Sequence, residues 1–553
     1  MPIYEPNATT FLENLKTNAL VGQIMPEKII LKETDRTSGR EALRKNVQAA
    51  LALAGAVRST LGPLGLDKLL VDDQGQSLVT NDGVTVLENA RVEHPIARMI
   101  IDTSSTQDKV ARDGTTSTVI FCAEMLRNAW ELVREGVHPA TIARGFSQSK
   151  SFALEVIEEL AIDADEKQIV SAVETSLAGK VNRGVQINLS KLAINAANII
   201  HIEGHSDPTR VKIIKQKGGS LNDSELITGL AITKTRIHSE MPERKGPGRV
   251  LLLDGGLEKR KPQLEAKLKI EAIGMLEAFR KAEFEAVVAQ VANLQKIGCD
   301  LLVCRDGVDD DARQALANAG ILTYRRVDKS DLELLSRACG ATQVHDANLA
   351  RPEDMGAFIQ TREELHGGVN HWILDAEDGG VTLIIRGSTK EIHEEIERCF
   401  ADALGVACQL LEEGKLLPGA GATQVAIARR LRRHAESIPG REQLAMDAWA
   451  DALESIPRAL AQNAGLDPID SLLQLTAAQV ENGDNIGLDL SGAAPSDVIA
   501  RGILEPLKIT RQALSGATEA AISILRIDDV LWAQIDAEVP DEVQESLARM
   551  NTD

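Results

Sequence analysis

A chain of 553 residues is too long for one core and should divide into about three to four domain-sized units. Its composition, 43% hydrophobic and 26% charged, is that of a soluble globular protein, and with aromatics at only 3% the cores must be filled by Leu, Ile, Val and Ala. The net charge of −21 argues against a general nucleic-acid binder, because a phosphate backbone asks for a basic face, and no stretch has the length to span a bilayer.

In chain order, residues 1–28 show no firm period and read as an N-terminal extension. The first residues carry neither a basic n-region nor an apolar h-region, so a cytoplasmic location is expected. A helix is predicted from Arg36 to Leu61, with Ala49, Ala50, Leu53 and Val57 on one side and Gly62-Pro63 as its terminator. Residues 69–87 alternate short apolar runs with Asp/Gly turns, a hairpin closed around Asp73–Gln76, and residues 88–165 read as largely helical. Strand patterns at 226–234 and 249–254 precede a charged, helix-prone stretch from Leu264 to Ile297. Beyond it, Asp300–Cys304, Ala312–Ala319, Ile321–Arg326 and Leu332–Ala338 alternate strand and helix patterns, and Val381–Arg386 is a further strand. From Ile392 the chain returns to helices. Helices therefore flank an α/β insert, and the N- and C-terminal thirds are expected to share a core.

Two short runs carry chemistry. Asn81-Asp82-Gly83 and Asp113-Gly114-Thr115-Thr116 supply carboxylates, tight-turn glycines and hydroxyls. The second heads a helical pattern, with apolar positions at Val119, Leu126 and Val133. Free N–H groups at that helix start would attract an anion; Gly114 permits close backbone approach, and Asp113 offers hard oxygens to a divalent cation. On residues alone, the same runs also fit a plain hairpin turn and a plain N-cap. The six cysteines form no CxxC pair. They read as reduced, buried thiols, and Cys299 and Cys304, which flank a strand pattern, are weaker as a metal pair than as core.

Several runs together resemble a family. Arg58-Ser59-Thr60-Leu61-Gly62-Pro63, Asn81-Asp82-Gly83-Val84-Thr85-Val86-Leu87, Val92-Glu93-His94-Pro95 and Asp113-Gly114-Thr115-Thr116 are similar to the nucleotide-binding third of group II chaperonins, the archaeal thermosomes and their eukaryotic cytosolic relatives. Asp223-Ser224-Glu225-Leu226-Ile227, Arg325-Arg326-Val327-Asp328, Gly440-Arg441-Glu442-Gln443, Asn463-Ala464-Gly465-Leu466-Asp467 and Leu525-Arg526-Ile527-Asp528-Asp529-Val530 extend the likeness in collinear order. The resemblance implies a multidomain chaperonin fold of mixed α+β and α/β character. A mainly helical equatorial nucleotide-binding domain would come from residues 29–167 and 421–553, and an intermediate hinge from 168–237 and 387–420. An α/β apical domain would span 238–386, with a helical protrusion near 264–297 as a built-in lid. It implies a chaperone that encloses unfolded proteins in a double ring with other chaperonin subunits, driven by Mg2+ and ATP, with neither nucleic acid nor membrane as a partner.

Residue by residue, the resemblance implies that Asp113 holds the Mg2+, that Gly114, Thr115 and Thr116 cradle the phosphates, and that Leu61, Gly62 and Pro63 close from the other side. Asp82 and Asp402 would orient the attacking water, Lys180 would sense the γ-phosphate, and Gly419, Gly421 and Glu505 would line the adenosine end. From its own surroundings, Asp402 reads instead as an i, i+4 partner of Arg398. The family pattern is broken in three places. Arg112 stands where a glycine precedes Asp-Gly-Thr-Thr, Ala420 is the middle of a Gly-Gly-Gly, and Leu64 replaces a lysine. If position 112 needs a positive φ, arginine strains it; otherwise its guanidinium points outward or meets a phosphate. Arg112 thus motivates an alternative, an ATPase-impaired structural or scaffold subunit. The acidic balance adds the expectation that assembly prefers high salt.

Overall fold

The computed structural model describes residues 34–71, 75, 77–90, 92, 94–258, 273–377 and 379–533. The extension at 1–28, the tip of the 69–87 hairpin apart from Gly75, and the lid stretch before Ile273 lie outside the described residues.

Helices from both ends of the chain pack into one apolar core. Gly39–Arg58, Pro95–Ala111, Thr115–Arg134 and Pro139–Leu160 contribute Leu43, Ile100, Phe121 and Phe146; Ala422–Ala435, Glu442–Leu453 and Leu507–Leu525 contribute Leu431, Trp449 and Leu514. Small residues let these helices approach closely: a Cβ added at Gly145 would lie 2.5 Å from Ala445 Cβ. Trp449, one of the few aromatics, meets Phe121 edge-on at 5.0 Å and donates its indole N–H to Thr518 Oγ1 at 3.1 Å. Thr34–Ser38 pairs antiparallel with Asp529–Ala533, tying the two ends together. The helix expected from Arg36 therefore begins at Gly39, because Arg36–Ser38 belong to that strand. It ends at Arg58, and Thr60 N–H turns back onto Val57 O.

A second apolar cluster joins helices Glu166–Ser176, Arg183–Ile200 and Lys390–Glu413 to a three-stranded sheet. Its centre is Val381–Gly387, parallel to Val211–Lys217 and antiparallel to Glu225–Thr228. The strand expected over 226–234 breaks at Gly229 into Glu225–Thr228 and Leu230–Ile232, which pair in different sheets. Gly229 has φ +102°, and a side chain there would strike Asp375 and, at 2.8 Å, Leu374 O, so the chain can turn only with glycine at this point.

The third cluster surrounds a five-stranded sheet in which Leu322–Tyr324, Leu301–Cys304, Gly248–Leu253 and Gln343–Val344 run parallel in that order and Gly356–Phe358 pairs antiparallel with Gly248–Leu253. Leu301–Cys304 is buried throughout, as a strand covered on both faces should be. Helices Ile273–Lys296, Asp310–Asn318 and Lys329–Cys339 belong to this region. Tyr324 stacks at 4.0 Å on Trp372 of the neighbouring antiparallel sheet. All six cysteines are buried free thiols, and the described residues hold no group of three or more metal-ligating His, Cys, Asp or Glu side chains. Among the described residues no helix is long and apolar enough to cross a membrane.

Candidate nucleotide site

An open cleft of about 930 Å3 is lined both by the helical core of the chain ends and by the second cluster. Its floor is the start of helix Thr115–Arg134. Gly114 caps that helix at φ +79°, where an added Cβ would fall 2.8 Å from Ile509 Cγ2. The approach is braced: Gln107 Nε2 donates to Asp113 O at 2.8 Å and Ile509 O at 3.1 Å, and Gly114 N–H donates to Asp113 Oδ1 at 2.8 Å. The first N–H groups of the helix have no intrahelical acceptor, so with the helix dipole they form an anion seat.

Asp82 enters from beside this seat. It is the N-cap of helix Gly83–Asn89, not the corner of a hairpin, and its Oδ2 accepts from Thr85 N–H at 2.9 Å and Thr85 Oγ1 at 2.6 Å. Gly83 is obligatory for the close approach: a Cβ there would come 2.5 Å from Thr116 Oγ1 and 3.1 Å from Thr115 Oγ1. On the far wall, Asn463 Nδ2 donates to Arg58 O at 3.0 Å and Leu61 O at 2.8 Å, fixing the turn through Gly62 and Pro63.

Across the cleft, Lys180 Nζ lies 2.7 Å from Asp402 Oδ2. Arg398 turns away to Glu395 at 2.5 Å, so the i, i+4 pairing expected of Asp402 from its sequence surroundings does not form. Gly179 lets the lysine loop rest on the Gly62-Pro63 turn, since a Cβ at 179 would stand 2.7 Å from Pro63 Cα. Burial pushes the Asp402 carboxyl up to about 7; Lys180 opposes that rise, whereas Asp113 and Asp82 add to it by charge repulsion. Lys180 is itself desolvated, yet Asp402 and Asp113 outweigh this and hold its ammonium well above the ordinary lysine range. Asp108 is raised by burial first and by Asp82 second, with Arg112 working against both.

At the opposite end, Glu505 lies in strand Leu504–Pro506, accepts from Thr510 Oγ1 at 2.9 Å, and is pushed by burial up to about 7. Ala420 and Gly421 line the cleft, whereas Gly419 stands one residue behind the wall, its N–H on Ile503 O at 3.0 Å.

The sequence pattern of the TCP-1/cpn60 chaperonin family matches residues 53–534. The chain belongs to this family. It is 40% identical over 521 residues to the thermosome subunit beta of Archaeoglobus fulgidus, covering 93% of this chain and 96% of that one. It is 40% identical over 508 residues to a thermosome subunit of Methanopyrus kandleri, covering 90% and 93%, and 38% identical over 523 residues to one of Pyrococcus horikoshii, covering 93% and 95%. The resemblance to group II chaperonins, read from the sequence runs, is thereby confirmed.

In this chaperonin both substituted glycine positions do adopt left-handed backbone: Arg112 at φ +58° and Ala420 at φ +51°. Sequence reasoning missed Asp108, Arg183, Gln424, Asp489, Ser491 and Arg501, which also line the cleft. Asp108 carried a signal, as it sits one turn before Asp113 on the helix feeding the anion seat. Asp489 and Arg501, an ion pair at 2.5 Å, come from a loop without periodicity and had none.

Proposed function

We propose that this chaperonin is an ATP-driven folding machine, with an equatorial domain from both chain ends, a hinge around the second cluster and an apical domain around the third. The observation that carries the reading is the meeting of Asp82, Asp113 and the Lys180–Asp402 pair in one cleft over a helix N-terminus. The N–H groups after Gly114 and the hydroxyls of Thr115 and Thr116 would bind the phosphates of ATP, with Glu505 near the sugar. Asp82, Asp108, Asp113 and Asp402 bring four carboxylates into the one cleft, and the charges of Asp113 and Asp82 raise the proton affinity of Asp402, a concentration of hard oxygens and negative charge that fits a divalent cation. Mg2+ suits it best, because it takes one or two carboxylates and completes its shell with phosphate oxygens and water. When bound, Mg2+ would offset charge on the phosphate oxygens. Asp113 would hold it, and Asp82 and Asp402 would accept hydrogen bonds from the attacking water and orient it.

Asp402 and Lys180 come from segments outside the helical core that supplies Asp82 and Asp113. Contacts made only when these segments close on nucleotide would therefore favour a shut chamber around an unfolded client. Client capture is tested by light scattering from a chemically denatured protein diluted into assembled particles. We expect suppressed aggregation, then folded client on addition of Mg-ATP; aggregation at the rate seen without the chain would sink the reading.

The raised carboxyl of Asp402 sets a pH dependence. A carboxylate that orients water works only deprotonated, so activity is lost as pH falls through its pKa and is full above it. We expect kcat/KM for ATP to rise through pH about 7 and to be roughly tenfold lower near pH 6 than on the plateau. A flat profile between pH 6 and 8 would remove Asp402 from this role. A scaffold that binds nucleotide without turning it over remains a second reading, favoured by the left-handed Arg112 and Ala420 beside the phosphate seat. Saturable ADP binding without phosphate release from ATP would select it.

A further inference from the structure

Helix Pro95–Ala111 ends in an unusual way. Its cap is Arg112, a residue that disfavours the left-handed φ of +58° it adopts, and Arg112 N–H closes on Asp108 O at 2.8 Å. Beside it, Gln409 of helix Lys390–Glu413 donates from Nε2 to the buried Ala111 O at 2.7 Å. The same helix carries a buried glycine, Gly405, in its interior, where glycine is a weaker helix former than alanine. The reason is steric. A Cβ at Gly405 would collide with Arg112 Cγ, would stand 2.5 Å from Arg112 Cβ, and would reach Arg112 Cδ at 3.4 Å. The aliphatic stem of Arg112 thus fills the space that Gly405 leaves.

Gly405 lies three residues beyond Asp402, so the two share one face of the helix. We propose that Arg112 and Gly405 form a matched joint: the arginine stem seated on the glycine sets how closely the Asp402 face approaches Asp113 and Asp82. Arg112 is then a positioning residue acting through Asp402, and its substitution for glycine is tolerated because Gly405 receives it. The consequence for hydrolysis rests on the ATPase reading above; the joint itself does not.

Two arms of one experiment test it, on assembled particles of the full chain. The first measures Mg-ATP hydrolysis and ADP affinity for wild type, Gly405→Ala, Arg112→Gly, the double variant and Arg112→Met. Gly405→Ala must push the helix off the arginine, so kcat should fall by at least about tenfold with ADP affinity within about threefold of wild type. Arg112→Gly, which removes the support, should also lower kcat. Combining the two should restore kcat to within about threefold, and Arg112→Met, which keeps a stem without charge, should stay nearer wild type than Arg112→Gly.

The second arm measures the distance between spin labels on cysteines introduced at the exposed Lys109 and Glu391, in particles holding a small labelled fraction; the native cysteines are all buried. Gly405→Ala should shift this distance and the double variant should return it. A double variant no better than Gly405→Ala in both arms overturns the joint, as does Arg112→Met behaving like Arg112→Gly. A wild type that binds ADP without hydrolysing ATP would overturn the ATPase reading instead, and the distance arm would still decide the joint.

Discussion

Asp402→Ala is expected to lower phosphate release from Mg-ATP by about 100-fold or more while leaving ADP affinity within about threefold. The asymmetry follows from the construction of the cleft. The anion seat belongs to Gly114, Thr115 and Thr116 and is braced by Gln107, whereas the hydrogen-bond partner of Asp402 is Lys180. Asp402 arrives from another segment, lines the cleft itself and pairs there with Lys180. Removing it should leave ground-state binding in place and take away the group proposed to orient water. Equal losses in affinity and turnover, measured by calorimetry with ADP and by phosphate release, would make Asp402 a binding residue.

Lys180→Met should have the second largest effect, and its signature lies in pH. Lys180 and Asp402 have side chains 19% and 18% exposed, and the ammonium is what opposes the upward push of burial on the carboxyl. Without it, desolvation and the repulsion from Asp113 and Asp82 act unopposed, so Asp402 takes up a proton at neutral pH. Phosphate release at pH 7 is expected to fall by more than about tenfold, with the acid limb displaced upward by at least about one pH unit and part of the rate recovered near pH 9. Loss by the same factor at every pH would mean that Lys180 serves as a phosphate contact alone and leaves Asp402 unaffected.

These two residues also mark how far the sequence could be read. Asp113-Gly114-Thr115-Thr116 is legible by itself, because a left-handed glycine, a carboxylate and two hydroxyls ahead of an amphipathic helix is a local pattern with a local consequence. The apolar run Leu301–Cys304 is equally legible as a buried strand. Lys180 and Asp402 are not, since nothing within a few residues of either predicts the other. Local spacing alone favoured Arg398, which the structure gives to Glu395, and only the family resemblance pointed across the chain. The same limit hid the pairing of Thr34–Ser38 with Asp529–Ala533, where non-local hydrogen bonds override a helical pattern beginning at Arg36. It hid the break at Gly229 as well, because the atoms that require glycine there belong to Leu374 and Asp375. Asp489 and Arg501 join the cleft through loop geometry that no periodicity encodes. Arg112 was conspicuous as a departure, but its counterpart Gly405 became visible only when the two helices were seen in contact.

The central claim is that the cleft turns over nucleotide despite Arg112 and Ala420. The most direct measurement is phosphate release from ATP by the wild-type chain in assembled particles, with Mg2+ present and after its removal by chelation. Steady turnover that disappears without Mg2+ and returns on its addition is the predicted result. Intact particles that bind ADP yet release no phosphate in Mg2+ would contradict it and leave a nucleotide-binding scaffold.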